Sequence, residues 1–192
     1  MKILLINAFE KYSEKQLLLA GILFTIIGSS LAAFFCARYD GAIDLHFVEK
    51  LHFSQPFFDN LIAIACTTLA LFVVGNYRNR KTRTIDILSA VMIARFPIYF
   101  LTFFNINGFI YKNTTKLASL QNPENLKSMP AMELLVAFGF GILALACIAW
   151  MFLLLWNGFK VATNAKGNNA ILWFAIAILM AEVLSKILIS II

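Results

Sequence analysis

Residues 134–159 read LLVAFGFGILALACIAWMFLLLWNGF, 26 positions without a single Asp, Glu, Lys or Arg. A bilayer's hydrocarbon core of about 30 Å is crossed by roughly 20 apolar residues in a helix. Lipid offers no water to the backbone amides, so such a stretch must close its hydrogen bonds internally. Working outward from it, comparable stretches lie at 17–37, 58–77, 85–104 and 170–192, and the central one takes in 133–158. The sequence therefore predicts an all-α fold, a polytopic transmembrane helix bundle of five spans.

Composition points the same way. Of the 192 residues 61% are hydrophobic and 14% charged, with 19 phenylalanines, against about 45–50% and about 25% in soluble domains. A water-soluble globule of this size has too much surface to hide that apolar load. The net charge of +6 is spread over short segments and builds no continuous basic face, so nucleic acid is not an expected partner. Gln16–Ala37 is 22 residues without charge, longer than the about 7–15 of a signal-peptide core, and reads as an anchor after a short cytoplasmic segment, residues 1–16.

Lys and Arg gather on the cytoplasmic side of membrane proteins. Lys2, Lys11, Lys15, Arg78, Arg80, Lys81, Arg83, Lys160 and Lys166 fall on one side of the expected bundle, and Arg38, Lys50, Lys112, Lys116 and Lys127 on the other. This imbalance places the N-terminus inside and the C-terminus outside. Two segments do not span. In residues 42–53, Ile43, Phe47, Val48 and Leu51 take helical spacing, which suggests an interfacial helix. Residues 105–131 read as a long outer loop.

Charges within a span are costly, and each needs an account. Asp86 stands at the start of the third span, where a carboxylate favours the positive end of the helix dipole. Arg95 lies about 16 Å beyond Thr84 along a helix, and Glu182 lies at a similar depth in the parallel fifth span. The two are expected to pair, with Lys186 one turn further and able to join them. Buried as a structural clasp they would fix spans three and five; lining a polar path they would serve a proton or ion. Pro97 is expected to kink the third span.

Small residues mark close helix contacts. Ala177, Ala181 and Ser185 recur every four residues, as do Ala137 and Gly141, while Gly21, Thr25 and Gly28 share a face. Such faces build a bundle or a homo-oligomer. Cys36, Cys66 and Cys147 fit neither a zinc nor a disulfide spacing and read as buried thiols. His46, Glu49 and His52 are spaced three apart and with Asp44 or Asp59 could hold a divalent metal, but solvated interfacial groups are the expected reading and no metal site is assigned. No catalytic or phosphate-binding motif is present, so neither an enzyme nor a cofactor is expected.

The junction Trp156-Asn157-Gly158-Phe159-Lys160-Val161-Ala162, followed by Asn164-Ala165-Lys166 and a new span from Ala170, resembles the link between the last two spans of the YIP family of Ypt-interacting proteins. With the five-span layout, the resemblance covers most of the chain. It implies a non-enzymatic membrane protein whose eukaryotic members associate with Rab-type GTPases in vesicle traffic. With about 16 residues ahead of the first span, a bacterial-type member of the inner membrane is the expected counterpart, working through membrane lipids, itself or other membrane proteins. The alternative is a small transporter or channel component.

Overall fold

The computed structural model describes residues 8–118 and 130–191. Among them the chain forms seven α-helices, one 3-10 segment and one minimal hairpin: α1 Glu14–Phe34, β1 Ala37–Arg38, β2 His46–Phe47, α2 Gln55–Arg78, α3 Thr84–Ala94, α4 Phe96–Leu101, the 3-10 segment Thr102–Gly108, α5 Phe109–Ala118, α6 Ala131–Thr163 and α7 Asn168–Ile191. Helices α1, α2, α6 and α7, together with the composite run Thr84–Ala118, are long and apolar enough to cross a membrane. The polytopic five-helix bundle expected from the sequence is the fold.

Local chemistry explains the helix ends. Gln16 Oε1 accepts from the Ser13 N–H at 3.1 Å and closes the first turn of α1. Pro56 enters the first turn of α2, where its missing N–H costs nothing. Pro97 cannot donate to the carbonyl of Ile93, and the third span breaks beside it, at Arg95, between α3 and α4. The helix α6 ends with Asn164 in the left-handed region, φ 52°. Its 33 residues extend about 50 Å, well beyond the about 30 Å of a bilayer core.

In the bundle α2 lies along α7, α1 packs on α3, and α3 packs on α6. The core is built from Ile64, Leu71, Ile87, Val91, Phe159 and Ile178, all nearly or fully buried. Large apolar side chains such as Leu19, Leu61, Phe138, Ile142 and Leu179 point outward, the arrangement that lipid as solvent permits.

Three expectations change. Residues 42–53 form no helix: His46–Phe47 pairs antiparallel with Ala37–Arg38, in the register Ala37↔Phe47 and Arg38↔His46. Of the residues whose spacing suggested a helix, Ile43 and Phe47 pack against the core, together with Leu45, from a non-helical chain. The expected loop 105–131 begins with structure, because Asn105 accepts the Tyr111 N–H at 2.9 Å and donates to Phe35 O at 2.8 Å. That clasp turns the chain into α5; the rest of the loop, 119–129, lies outside the described residues, as does Lys2. Cys36 is half-buried with φ 51°, whereas Cys66 and Cys147 are buried; all three are free thiols.

Candidate functional site

The polar residues of the spans converge on the turn between the two strands. Arg95, which caps both helices at the α3–α4 break, directs Nη1 to the carbonyl of Ala42 at 2.8 Å. On the other side of the same peptide group, the Ile43 N–H donates to Glu182 Oε2 at 2.9 Å. One residue back, the Ala42 N–H donates to Ser185 Oγ at 3.0 Å, and that hydroxyl donates to Ala181 O at 2.7 Å. Lys186 then bridges Glu182 at 3.1 Å and Asp44 at 2.9 Å. The Tyr39 ring lies 5.4 Å from the Arg95 guanidinium, within cation–π range. Its hydroxyl donates to Gly28 O at 2.9 Å.

The expected Arg95–Glu182 ion pair is thereby corrected. The two charges do meet at one level, but each holds one end of the Ala42–Ile43 peptide instead of the other charge. A loop backbone brought into an apolar bundle must find partners for its N–H and C=O groups, and the span charges supply them. Gly41 makes the approach possible: a Cβ there would stand 2.6 Å from Glu182 Oε2.

A second cluster ties the hairpin to α2. Arg38 grips Asp59 through Nε and Nη2 at 2.9 and 3.1 Å, a bidentate contact to a carboxylate that is only 4% exposed. Asp40 hydrogen-bonds His46 at 2.6 Å. The Asp40 hydrogen bond raises the His46 pKa from its ordinary value. Burial pushes Asp40 up, but the His46 hydrogen bond and the charges of His46, Arg38 and Lys186 outweigh it and hold the carboxyl below its ordinary range. Beneath, Asn60 donates to Ser29 Oγ at 2.9 Å and to the Tyr99 hydroxyl at 3.0 Å, all fully buried.

The remaining sequence candidates are distributed differently. Gly21 and Gly28 lie against Met92 and the Tyr99 ring, and Ala177 and Ala181 are buried. Gly141 meets nothing, with open space around it, because it lies on the exposed side of α6 while the neighbouring Phe140 packs on Phe47 and Phe104; within this chain it is not a packing position. Arg78, Arg80, Lys81 and Arg83 cap the opposite end of α2. There Arg83 bridges Glu14 at 2.6 Å and Arg78 reaches Lys166 O at 3.4 Å, while Arg80 and Lys81 are exposed. His46, Glu49 and His52 do not converge, and among the described residues no three His, Cys, Asp or Glu side chains assemble a metal site. Sequence reasoning missed Arg38, Asn60 and Gly41 and placed Asp59 only as a possible ligand. A carboxylate in the first turns of an apolar helix, with an arginine in the preceding loop, was the available signal.

Comparison of the chain with protein-family models, with curated proteins and with solved structures finds no match in any of the three. Fold and site together define a five-helix bundle, long and apolar enough in each crossing for a membrane, whose first interhelical hairpin is pinned into its end by span charges.

Proposed function

We propose that this is a non-enzymatic integral membrane protein of YIP-like type, acting in membrane organisation or trafficking through contacts with lipids, with further copies of itself or with other membrane proteins. The engagement of its span charges carries this reading. Arg95 and Glu182 hold the hairpin backbone and Lys186 bridges Glu182 to the Asp44 side chain, and the cavity that Arg95 lines measures about 10 Å³, room for about one water-sized sphere. A polar path through the bundle would need a chain of such spaces. The basic residues at the Arg78–Arg83 end support a cytoplasmic placement of that end.

Reconstitution tests the reading. Liposomes bearing the protein should show no proton or solute flux above empty vesicles, and photo-crosslinking in native membranes should trap lipids or membrane proteins along α6 and α7. A flux that Glu182→Gln abolishes while folded yield is unchanged would replace this reading with a transporter.

A further inference from the structure

The end of α1, the chain leaving the hairpin and the 3-10 segment enclose a cleft of about 520 Å³, within the roughly 300–1,000 Å³ of small-molecule sites. Its walls are tied to one another. The Val48 N–H donates to Cys36 O at 2.9 Å, and Asn105 joins Phe35 O to the Tyr111 N–H. Phe34, Phe35 and Ile106 give the cleft apolar walls, while Glu49, Asn107 and Lys112 give it polar ones. Glu49 and Lys112 line the same space without meeting, and neither side chain has an ion pair or hydrogen bond among the described residues. The room between two opposite charges is thus open to a ligand that carries both.

A second hollow of about 610 Å³ shares Ile106, Asn107 and Lys112 with the first and is otherwise lined by Phe103, Phe104 and Phe109. Lys112 therefore stands where the polar cleft opens into an apolar groove, and Glu49 belongs to the cleft alone. The level in the bundle agrees with this division. Helix α1 has 21 residues and rises about 30 Å, the thickness of a hydrocarbon core. Its first residue, Glu14, bridges Arg83 at the basic end, so Phe34 at its other end lies at the headgroup level of the opposite leaflet.

We propose that the two joined hollows bind one phosphatidylethanolamine-class lipid, its ammonium on Glu49, its phosphate on Lys112 and an acyl chain in the groove of Phe103, Phe104 and Phe109. The carboxylate sets the headgroup. A primary ammonium donates three N–H bonds, as a lysine does, and Glu49 and Asn107 offer acceptors for them. A choline headgroup has no N–H to donate, and an anionic headgroup would bring a second negative charge to Glu49. The site deepens the lipid contact of the functional reading above and rests on it.

The test mixes the full chain in detergent with equal amounts of phosphatidylethanolamine, phosphatidylcholine and phosphatidylglycerol of identical acyl chains, and counts retained lipid by native mass spectrometry. One ethanolamine lipid should be retained about tenfold over either competitor, the factor that one charge-assisted hydrogen bond supplies. Glu49→Gln should remove most of that preference, and Lys112→Gln should cut retention of all three lipids. An ethanolamine lipid with a photoactivatable acyl chain should label residues 103–112, and unlabelled choline lipid should not compete. Equal retention of the three lipids, a preference for phosphatidylglycerol, or a preference intact in Glu49→Gln would each overturn the site. The flux assay above decides the functional reading separately, so the two can fail independently. Both side chains are exposed, and the variants should keep the wild-type unfolding midpoint in lipid-free detergent. Should either fail to fold, the wild-type competition and the label map still decide it.

Discussion

Gly41→Ala places a methyl group where the hairpin turn meets α7. The new Cβ would lie 2.6 and 2.7 Å from the two carboxylate oxygens of Glu182, closer than atoms tolerate. The carboxylate is the free end of a flexible side chain, so it yields without breaking the bundle. What it forfeits is the hydrogen bond from the Ile43 N–H. A bond to a charged acceptor contributes about 1.5–3 kcal/mol, and at about 2–4 °C per kcal/mol for a chain of this length the unfolding midpoint should fall by roughly 3–12 °C. The assay is thermal or denaturant unfolding in detergent, run as a double-mutant cycle with Glu182→Ala. In the Glu182→Ala background there is no carboxylate to displace, and adding Gly41→Ala should cost almost nothing. A Gly41→Ala midpoint equal to that of the wild type, or an equal loss in both backgrounds, would refute the reasoning.

Further expectations follow from the neighbouring contacts. Asp59→Asn removes the buried carboxylate from a bidentate pair and leaves Arg38 the longer contact to Asp40 at 3.8 Å; because Arg38 is part-exposed, the loss should fall below the about 3–5 kcal/mol of a fully buried pair broken on one side, read as a lowered denaturant midpoint, with Arg38→Met in the same chain recovering part of it. Gly28→Ala drives a Cβ to 2.3 Å from the Tyr99 ring, and since the ring is rigid and its hydroxyl is tied to Asn60, overpacking of about 1–3 kcal/mol should appear in the same assay. The Asp40–His46 pair gives stability a pH dependence. The His46 pKa is raised above 6.5, so its contribution is full below that value and disappears as pH rises through the folded pKa. The Asp40 pKa is lowered below 3.8, so its contribution is present above that value and is lost as pH falls through the folded one. Midpoints measured from pH 4 to 9 should therefore decline as pH rises above 6.5, modestly because both groups are part-exposed, and His46→Gln should flatten that decline.

The five crossings were legible because the constraint behind them is severe: in lipid about 20 apolar residues admit only a helix, and 134–159 could be little else. Arg95 and Glu182 were placed at one level by counting residues along parallel helices, and that level is where both are found. Their mediator was not legible, because a backbone peptide group leaves no mark in the sequence. The hairpin was masked by coincidence. The positions 43, 47, 48 and 51 satisfy a helical period, and a two-residue strand pair carries too few residues to display alternation. Gly41, which permits the approach of Glu182, reads as an ordinary loop glycine until its neighbour is known. Gly141 shows the converse, since small-residue spacing records where a helix can be approached, not whether anything is there.

The central claim is that span charges hold the Ala42–Ile43 peptide inside the bundle. Hydrogen exchange at the Ile43 amide, followed on 15N-isoleucine-labelled protein in detergent, reads that bond alone. The amide should be protected in the wild type and should exchange about ten- to a hundredfold faster in Glu182→Ala, the factor corresponding to a charge-assisted hydrogen bond. Exchange at the rate of an unstructured peptide in the wild type, or an unchanged rate in the variant, would contradict it.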